Sequence, residues 1–315
     1  DANVLNKIGA FASLYDASFP EYKHPVLVLK TEEPGSKQLL ALKYGKVENV
    51  CHDLVNHLVN DCIVMGARPL SIQDCIVSGK IEKPIVLRMV NAFAEAAKNN
   101  ECSLTGGETS WQPGVIPEGT FILTASIVGV VEKERVIDGS KIAEDDVVVA
   151  LASSGVHTNG LTLVRKIMED KPEILQSKIS GALFIDSVLE PHRAYYTALK
   201  ELFKSDALVG LAHITGGGIQ ENLNRILPSN MNAHIDLSKI KIHPLFKTLK
   251  EFGSLEDTDM LRTFNMGVGI AAVMRRGFVA EAIAHLKQQG IEAYEIGLIK
   301  PGEQRVEFSS ELNWN

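Results

Sequence analysis

Cysteine is scarce and poorly placed for pairing: Cys51, Cys62, Cys75 and Cys102 are the whole complement, with no Cys-x-x-Cys. All four sit in apolar, helix- or strand-like surroundings. They read as buried free thiols of a reducing compartment, not as a disulfide framework or a zinc site. Long apolar runs are missing as well. No stretch approaches the ~18 apolar residues of a membrane span, and the N-terminus shows no basic segment followed by an apolar one. No membrane partner is therefore expected, and the cytoplasm is the expected compartment. Basic residues are outnumbered: 32 Lys and Arg face 39 Asp and Glu, for a net charge of −7. No Lys/Arg cluster is long enough to make a nucleic-acid face. Any bound phosphate must then be met by backbone amides, a few local cations or a metal.

What the chain does have is glycine in telling places. Ala212-His213-Ile214-Thr215-Gly216-Gly217-Gly218 runs from an apolar strand into a helix start at Ile219. Glycines let backbone amides approach an anion closely, and the first helical turn leaves its own amides unpaired. The design recurs at Ser153-Ser154-Gly155-Val156-His157-Thr158-Asn159-Gly160, after one apolar run and before Leu161-Thr162-Leu163-Val164. Two such loops predict a protein that handles phosphates.

The length of 315 residues suits two domains better than one. Expected elements in the first half are a strand over 24–29, a helix over 53–66 closed by Gly66, a strand over 70–77, a helix over 84–99 and a long strand over 121–131. The polar stretch 132–146 separates this half from the next apolar run, so the domains are placed at 1–137 and 138–315. The second half predicts helices over 161–168, 191–203, 244–252 and 279–289, with strands over 233–237, 268–274 and 294–299. Strands and helices mix without a regular βαβ rhythm, which favours an α+β fold over a doubly wound sheet.

The helix around Asp53 carries a polar stripe. Asp53, His57, Asn60 and Asp61 share one face, opposite Leu54, Val55, Leu58 and Cys62. Solvated stripes usually carry Lys and Glu; this one carries poor helix formers, which favours a site. Eight residues rise about 12 Å along a helix, so Asp53 and Asp61 cannot hold the same ion. Glu108 in Gly106-Gly107-Glu108-Thr109 could complete a site at Asp61, and oxygen ligands of this kind suit Mg²⁺. His157, among Ser153, Ser154, Thr158 and Asn159, is as readily a phosphate contact as a structural histidine. His213, with apolar neighbours, reads as a buried and satisfied one. Taken alone, Thr31-Glu32-Glu33-Pro34-Gly35-Ser36-Lys37 is an exposed charged turn, and Arg262-Thr263-Phe264-Asn265-Met266-Gly267-Val268-Gly269 a tight entry into a strand.

In order along the chain, these segments resemble the family of phosphoribosylformylglycinamidine cyclo-ligases, the aminoimidazole ribonucleotide synthetases. The resemblance runs through Asn60-Asp61, Gly66-Ala67-Arg68-Pro69-Leu70, Ser78-Gly79-Lys80, Gly106-Gly107-Glu108-Thr109, the 153–160 loop, Leu189-Glu190-Pro191-His192-Arg193, the 213–218 turn and 262–269. It implies a two-domain PurM-like fold. The N-terminal α/β half would form a dimeric β-barrel-like sheet, and the C-terminal half an α+β sandwich, in a homodimer. It also implies the use of ATP and Mg²⁺ to close the imidazole ring of formylglycinamidine ribonucleotide through an imidoyl phosphate. By this resemblance Asp53, Asp61 and Glu108 are metal ligands, and Glu32, Lys37, Asp61 and Gly106 to Thr109 bind the cofactor. Ser154, Gly155, His157, Asn159, Thr215, Gly216, Gly217, Gly218 and Asn265 contact the substrate, and His157, Asp61 and Lys37 take catalytic parts.

Three segments depart from the family pattern. Thr31–Lys37 replaces Thr-Asp-Gly-Val-Gly-Thr-Lys, with Glu32 standing for the aspartate at longer reach. The N-terminal glycine-rich segment that covers the nucleotide in the family is expected to be absent or shortened. Trp111-Gln112-Pro113 replaces Ala-Glu-Met-Pro. The alternatives are another ATP-using enzyme on the same fold, like thiamine monophosphate kinase or selenophosphate synthetase, and a homologue without catalysis.

Overall fold

The computed structural model describes residues 2–6 and 9–315. The chain divides into two compact units, Asp1–Val136 and Ile137–Asn315.

The first unit is a four-stranded sheet with helices on one face. Its elements are β1 (Pro25–Glu32), α1 (Lys37–Lys43), α2 (Val47–Ile63), β2 (Arg68–Ser78), α3 (Lys83–Asn99), β3 (Ser103–Trp111) and β4 (Phe121–Glu132). The strand order is β1-β4-β2-β3. β4 runs antiparallel to β1 and β2, while β2 and β3 are parallel with α3 as the crossover between them. Alternation along β4 states the reason for the layering. Leu123, Ala125 and Ile127 are buried under the helices, whereas Ile122 is exposed and Thr124, Ser126 and Val128 half-buried on the other face. The sheet is open in the single chain, so the barrel-like closure expected above is not formed among its described residues. Helix α2 starts six residues earlier than expected and is buried nearly all round. Most of its polar stripe is internal: Asp53, His57 and Asn60 are buried, and Asp61 is half-buried. Strand β3 escapes a sequence reading because Thr-Gly-Gly-Glu-Thr-Ser looks like a turn; pairing with β2 holds it extended.

The second unit is built on a six-stranded sheet ordered β12-β9-β11-β5-β10-β8. The strands are β5 (Val147–Ala152), β8 (Leu208–His213), β9 (Met231–Asp236), β10 (Val268–Met274), β11 (Ala293–Pro301) and β12 (Val306–Ser309), with a short hairpin of β6 (Lys178–Ile179) and β7 (Ala182–Leu183) apart. Pairings are antiparallel except β12 with β9. Around the sheet lie α4 (Leu161–Asp170), α5 (Phe184–Val188), α6 (Tyr196–Leu199), α7 (Gly218–Asn224), α8 (Pro244–Gly253), α9 (Asp257–Thr263) and α10 (Val279–Gln288). Strand β10 pairs Val268 with Ala152 of β5 and Ile270 with His213 of β8. The loops after β5 and β8 and the segment before β10 therefore gather at one end of the sheet. The expected helix over 191–203 is reduced to α6 and a 3-10 turn at Leu202–Lys204. Its first residues are irregular because their backbone serves the neighbouring loop: Pro191 O accepts from Ser154 Oγ (2.7 Å), and Arg193 N donates toward His157 Nε2 (3.5 Å).

Candidate active site

In the first unit, four charged or titratable groups meet between β1 and α2. Lys30 Nζ lies 3.0 Å from Glu32 Oε2 and 3.0 Å from Asp61 Oδ2. His57 Nε2 stands 3.8 and 3.6 Å from the same two oxygens. Partial burial pulls the Lys30 ammonium down, but hydrogen bonds and charge from Glu32 and Asp61 outweigh it, and its pKa is raised. Two hard oxygens thus already converge on a cation. Carboxylate oxygens are also the kind of donor that Mg²⁺ takes. Lys30 was missed in the sequence; its signal is a lysine two residues before Glu32, on the same face of a strand.

Sheet order separates the other expected metal ligand. Asp61 stands over β1, Glu108 lies on β3, and β4 and β2 intervene. At ~4.8 Å per strand that is about 14 Å. Within a single chain the sheet order therefore sets Asp61 and Glu108 apart. Lys37 and Asp53 have another occupation. Lys37 Nζ bonds Asp53 Oδ1 at 2.9 Å with both side chains 0% exposed, so the pair sits in the interior and not on a ligand-facing surface.

Gly106, Gly107, Glu108 and Thr109 border a cavity of about 680 Å³ together with Asp74 and Ser13. Gly107 pairs with Asp74 across β3 and β2, and a Cβ there would lie 2.2 Å from Asp74 Oδ1. Burial pushes the Asp74 carboxyl up to about 6. Asp74 was also missed. Its signal is a carboxylate in phase with Ile72 and Ile76, the buried positions of a strand. The chain's own Gly9–Ser13 walls this cavity, and Ser13 Oγ donates to Thr105 O at 2.5 Å. A short N-terminal stretch with a single glycine, Gly9, thus borders the cavity.

In the second unit, the 153–160 loop is stitched from below by Asn265. Its Nδ2 donates to Gly155 O (2.9 Å), and its Oδ1 accepts from Gly267 N (2.9 Å) and Ser153 Oγ (3.0 Å). Asn265 is 3% exposed and organises the loop from inside. Gly160 caps α4 at φ +74, and a Cβ would strike Phe264 at 2.3 Å. That contact explains Arg262-Thr263-Phe264-Asn265 as the loop's foundation.

The Thr215–Gly218 turn is held by Asn222, whose Nδ2 donates to Gly216 O (3.1 Å) and Gly218 O (2.8 Å). Gly216 faces Asn159, 3.5 Å from its Oδ1 to a Cβ built there. The two glycine loops are thus neighbours. Beside Ser153 and Ser154 a cavity of about 650 Å³ opens, lined also by Arg193, Lys241 and His243. Burial first, then the Arg193 charge, depress the His243 imidazole; its neutral Nδ1 accepts from Leu245 N at the start of α8.

His157 is buried at φ +56, with its Nε2 accepting from Ser154 N at 3.2 Å. Its ring stacks on His192 at 3.8 Å and 21°, and His192 Nε2 lies 2.9 Å from His213 Nε2. His192 is a functional candidate that the residue-level reading passed over.

Residues 18–131 match the AIR synthase related protein, N-terminal domain, and residues 143–308 its C-terminal domain. A phosphoribosylformylglycinamidine cyclo-ligase of Burkholderia cenocepacia (strain HI2424) is 40% identical over 297 residues, 94% of this chain and 84% of that protein. The chain belongs to the phosphoribosylformylglycinamidine cyclo-ligase family. Among solved structures it is similar to thiamine-monophosphate kinase from Stenotrophomonas maltophilia K279a (TM-score 0.70, 15% identity, 99% of this chain and 92% of that one). It is also similar to the hydrogenase maturation protein HypE in complex with ATP (TM-score 0.71, 15% identity, 95% and 84%). At 15% identity these two establish a shared two-domain fold of mixed α/β content and nothing about substrate. The kinase-like reading is accordingly not favoured over the cyclo-ligase family. Among the described residues no helix is long and apolar enough to cross a membrane.

Proposed function

We propose that this chain catalyses the ATP-dependent closure of formylglycinamidine ribonucleotide to aminoimidazole ribonucleotide in purine biosynthesis, releasing ADP and phosphate in the cytoplasm. The observation that carries this reading is the cyclo-ligase match across 94% of the chain. The amide oxygen of the substrate takes the γ-phosphoryl group, giving an imidoyl phosphate. The neighbouring amine then forms the C–N bond, and phosphate leaves with the C–O electron pair. Catalysis of this kind is positioning plus charge stabilisation.

In this reading, residues 1–137 handle ATP and 138–315 the substrate. Glu32 and Asp61 would hold a Mg²⁺ ion once Lys30 swings aside, and the ion, when bound, would neutralise the phosphate chain. The cavity edged by Gly106 to Thr109 has the volume of a small-molecule site and takes the nucleotide, with Gly9–Ser13 as its cover. Ser154, Gly155, His157 and Asn159 of one loop and Thr215 to Gly218 of the other orient the substrate. Asn265 acts through the first loop. The working unit is a homodimer: β1 is an edge strand, and Leu27, Leu29 and Ile122 are left exposed, an apolar margin that a second copy would cover.

Coupled assay of ADP release tests the reading. Release should require formylglycinamidine ribonucleotide; release with thiamine monophosphate in its place would contradict it.

A further inference from the structure

We infer that His192 is a positioning residue: it locks the ring of His213, at the start of one glycine turn, to His157, in the middle of the other loop. The inference rests on the cyclo-ligase reading for its kinetic part only.

The three imidazoles are 1, 1 and 6% exposed, for His157, His192 and His213. Their ring nitrogens fall within 4.8 Å of one another, so a metal site is the first alternative to weigh. The geometry argues against one. His192 and His213 aim Nε2 at Nε2 across 2.9 Å, a hydrogen bond, so these two nitrogens face each other and not a third atom. His157 lies nearly parallel on His192, 3.8 Å away, and its Nε2 already accepts from the Ser154 amide. Zinc needs three lone pairs converging at about 2.0 Å.

The hydrogen bond has a strict consequence. One ring must donate through Nε2–H while the other accepts through a bare Nε2. When both rings are neutral they hold opposite tautomers. His157 is fixed separately: an accepting Nε2 puts its proton on Nδ1. The segment carrying His192 is itself anchored on the same loop, through Pro191 O on Ser154 Oγ and Arg193 N on His157 Nε2. Behind the stack, Gly269 is obligatory, since a Cβ would come within 1.9 Å of Tyr195 Oη and 3.1 Å of His157 Cε1. Tyr195 in turn donates to Ala152 O at 2.8 Å. Each of residues 191, 192, 193 and 195 thus contributes one contact to the end of the sheet where the two loops meet. Without the His192 ring, His213 loses a hydrogen bond that holds one of its ring nitrogens, and the loops lose a shared part.

The test compares the full chain with His192→Leu and His192→Gln. Leucine removes the ring nitrogen; glutamine returns a polar group near the place of Nε2. His192→Leu should lower kcat by roughly 10- to 100-fold with KM for both substrates within about threefold, as expected when a remote change misplaces reacting groups. His192→Gln should recover kcat to within about threefold of the parent. A His192→Leu enzyme with the parent kcat, or a His192→Gln enzyme no better than it, overturns the proposal. Ring ¹⁵N spectra of the unaltered protein above pH 8 decide independently of activity and of how the variants fold. Opposite tautomers for His192 and His213 are expected, and identical tautomers contradict the lock. One equivalent of zinc retained by the parent and lost in His192→Leu would also overturn it, by making the rings ligands.

Discussion

Lys37 and Asp53 meet in the interior of the first unit, Nζ to Oδ1 at 2.9 Å, with neither side chain exposed. Removing one partner leaves a buried charge uncompensated, at a cost of about 3–5 kcal/mol. Lys37→Met should therefore lower stability by that order in urea denaturation. Lys37→Met combined with Asp53→Leu should lose less than either change alone. Additive losses would mean that the two residues contribute separately.

Asp74 makes a prediction with a definite sign. Burial raises its carboxyl from 3.8 to about 6, so the folded protein binds the proton more tightly than the unfolded chain. Stability from this group is greatest below pH 4 and falls as pH rises to about 6, by roughly 3 kcal/mol in all. Asp74→Asn should remove that fall and leave the protein more stable than the parent at pH 7. Denaturant midpoints from pH 4 to 8 check this. A variant with the parent's slope would show that Asp74 ionises without penalty.

Gly107→Ala places a methyl 2.2 Å from Asp74 Oδ1 and 2.5 Å from Asp74 O. Overpacking of this kind costs about 1–3 kcal/mol. Because the strain falls on the cavity wall, apparent ATP affinity should drop along with the melting temperature. A fall in melting temperature with unchanged ATP affinity would place the nucleotide elsewhere.

Asp61→Asn should leave the circular dichroism spectrum unchanged and lower turnover by more than about 100-fold, the scale of losing a preorganised charge. Glu32→Gln should raise the Mg²⁺ concentration needed for half-maximal rate. A normal rate in Asp61→Asn removes the metal assignment.

Much of this was legible in the sequence, for reasons that can be named. The loops at 153–160 and 213–218 announce themselves because glycine marks backbone that other residues cannot adopt, as at Gly160 and Gly217, both with positive φ. Apolar runs fix β5 and β10, which are buried along nearly their whole length. What failed is tertiary. Nothing local says that α2 is surrounded, so Asp53 read as a metal ligand, while in the fold it meets Lys37 of α1 in the interior. A turn-like Thr-Gly-Gly-Glu became strand β3 only because β2 pairs with it. Nor does anything local show that Asn265 spends three hydrogen bonds on Ser153, Gly155 and Gly267. His192 lies in a stretch with helical periodicity, and only the fold reveals that its neighbours' backbone is spent on another loop.

If ATP activates the substrate's amide oxygen, that oxygen leaves with the phosphate, and formylglycinamidine ribonucleotide carrying ¹⁸O in the formyl group reports its fate. Mass spectrometry of the products should find the label in inorganic phosphate, one atom per ring closed. Phosphate free of label, with the ring nonetheless closed, would contradict the account.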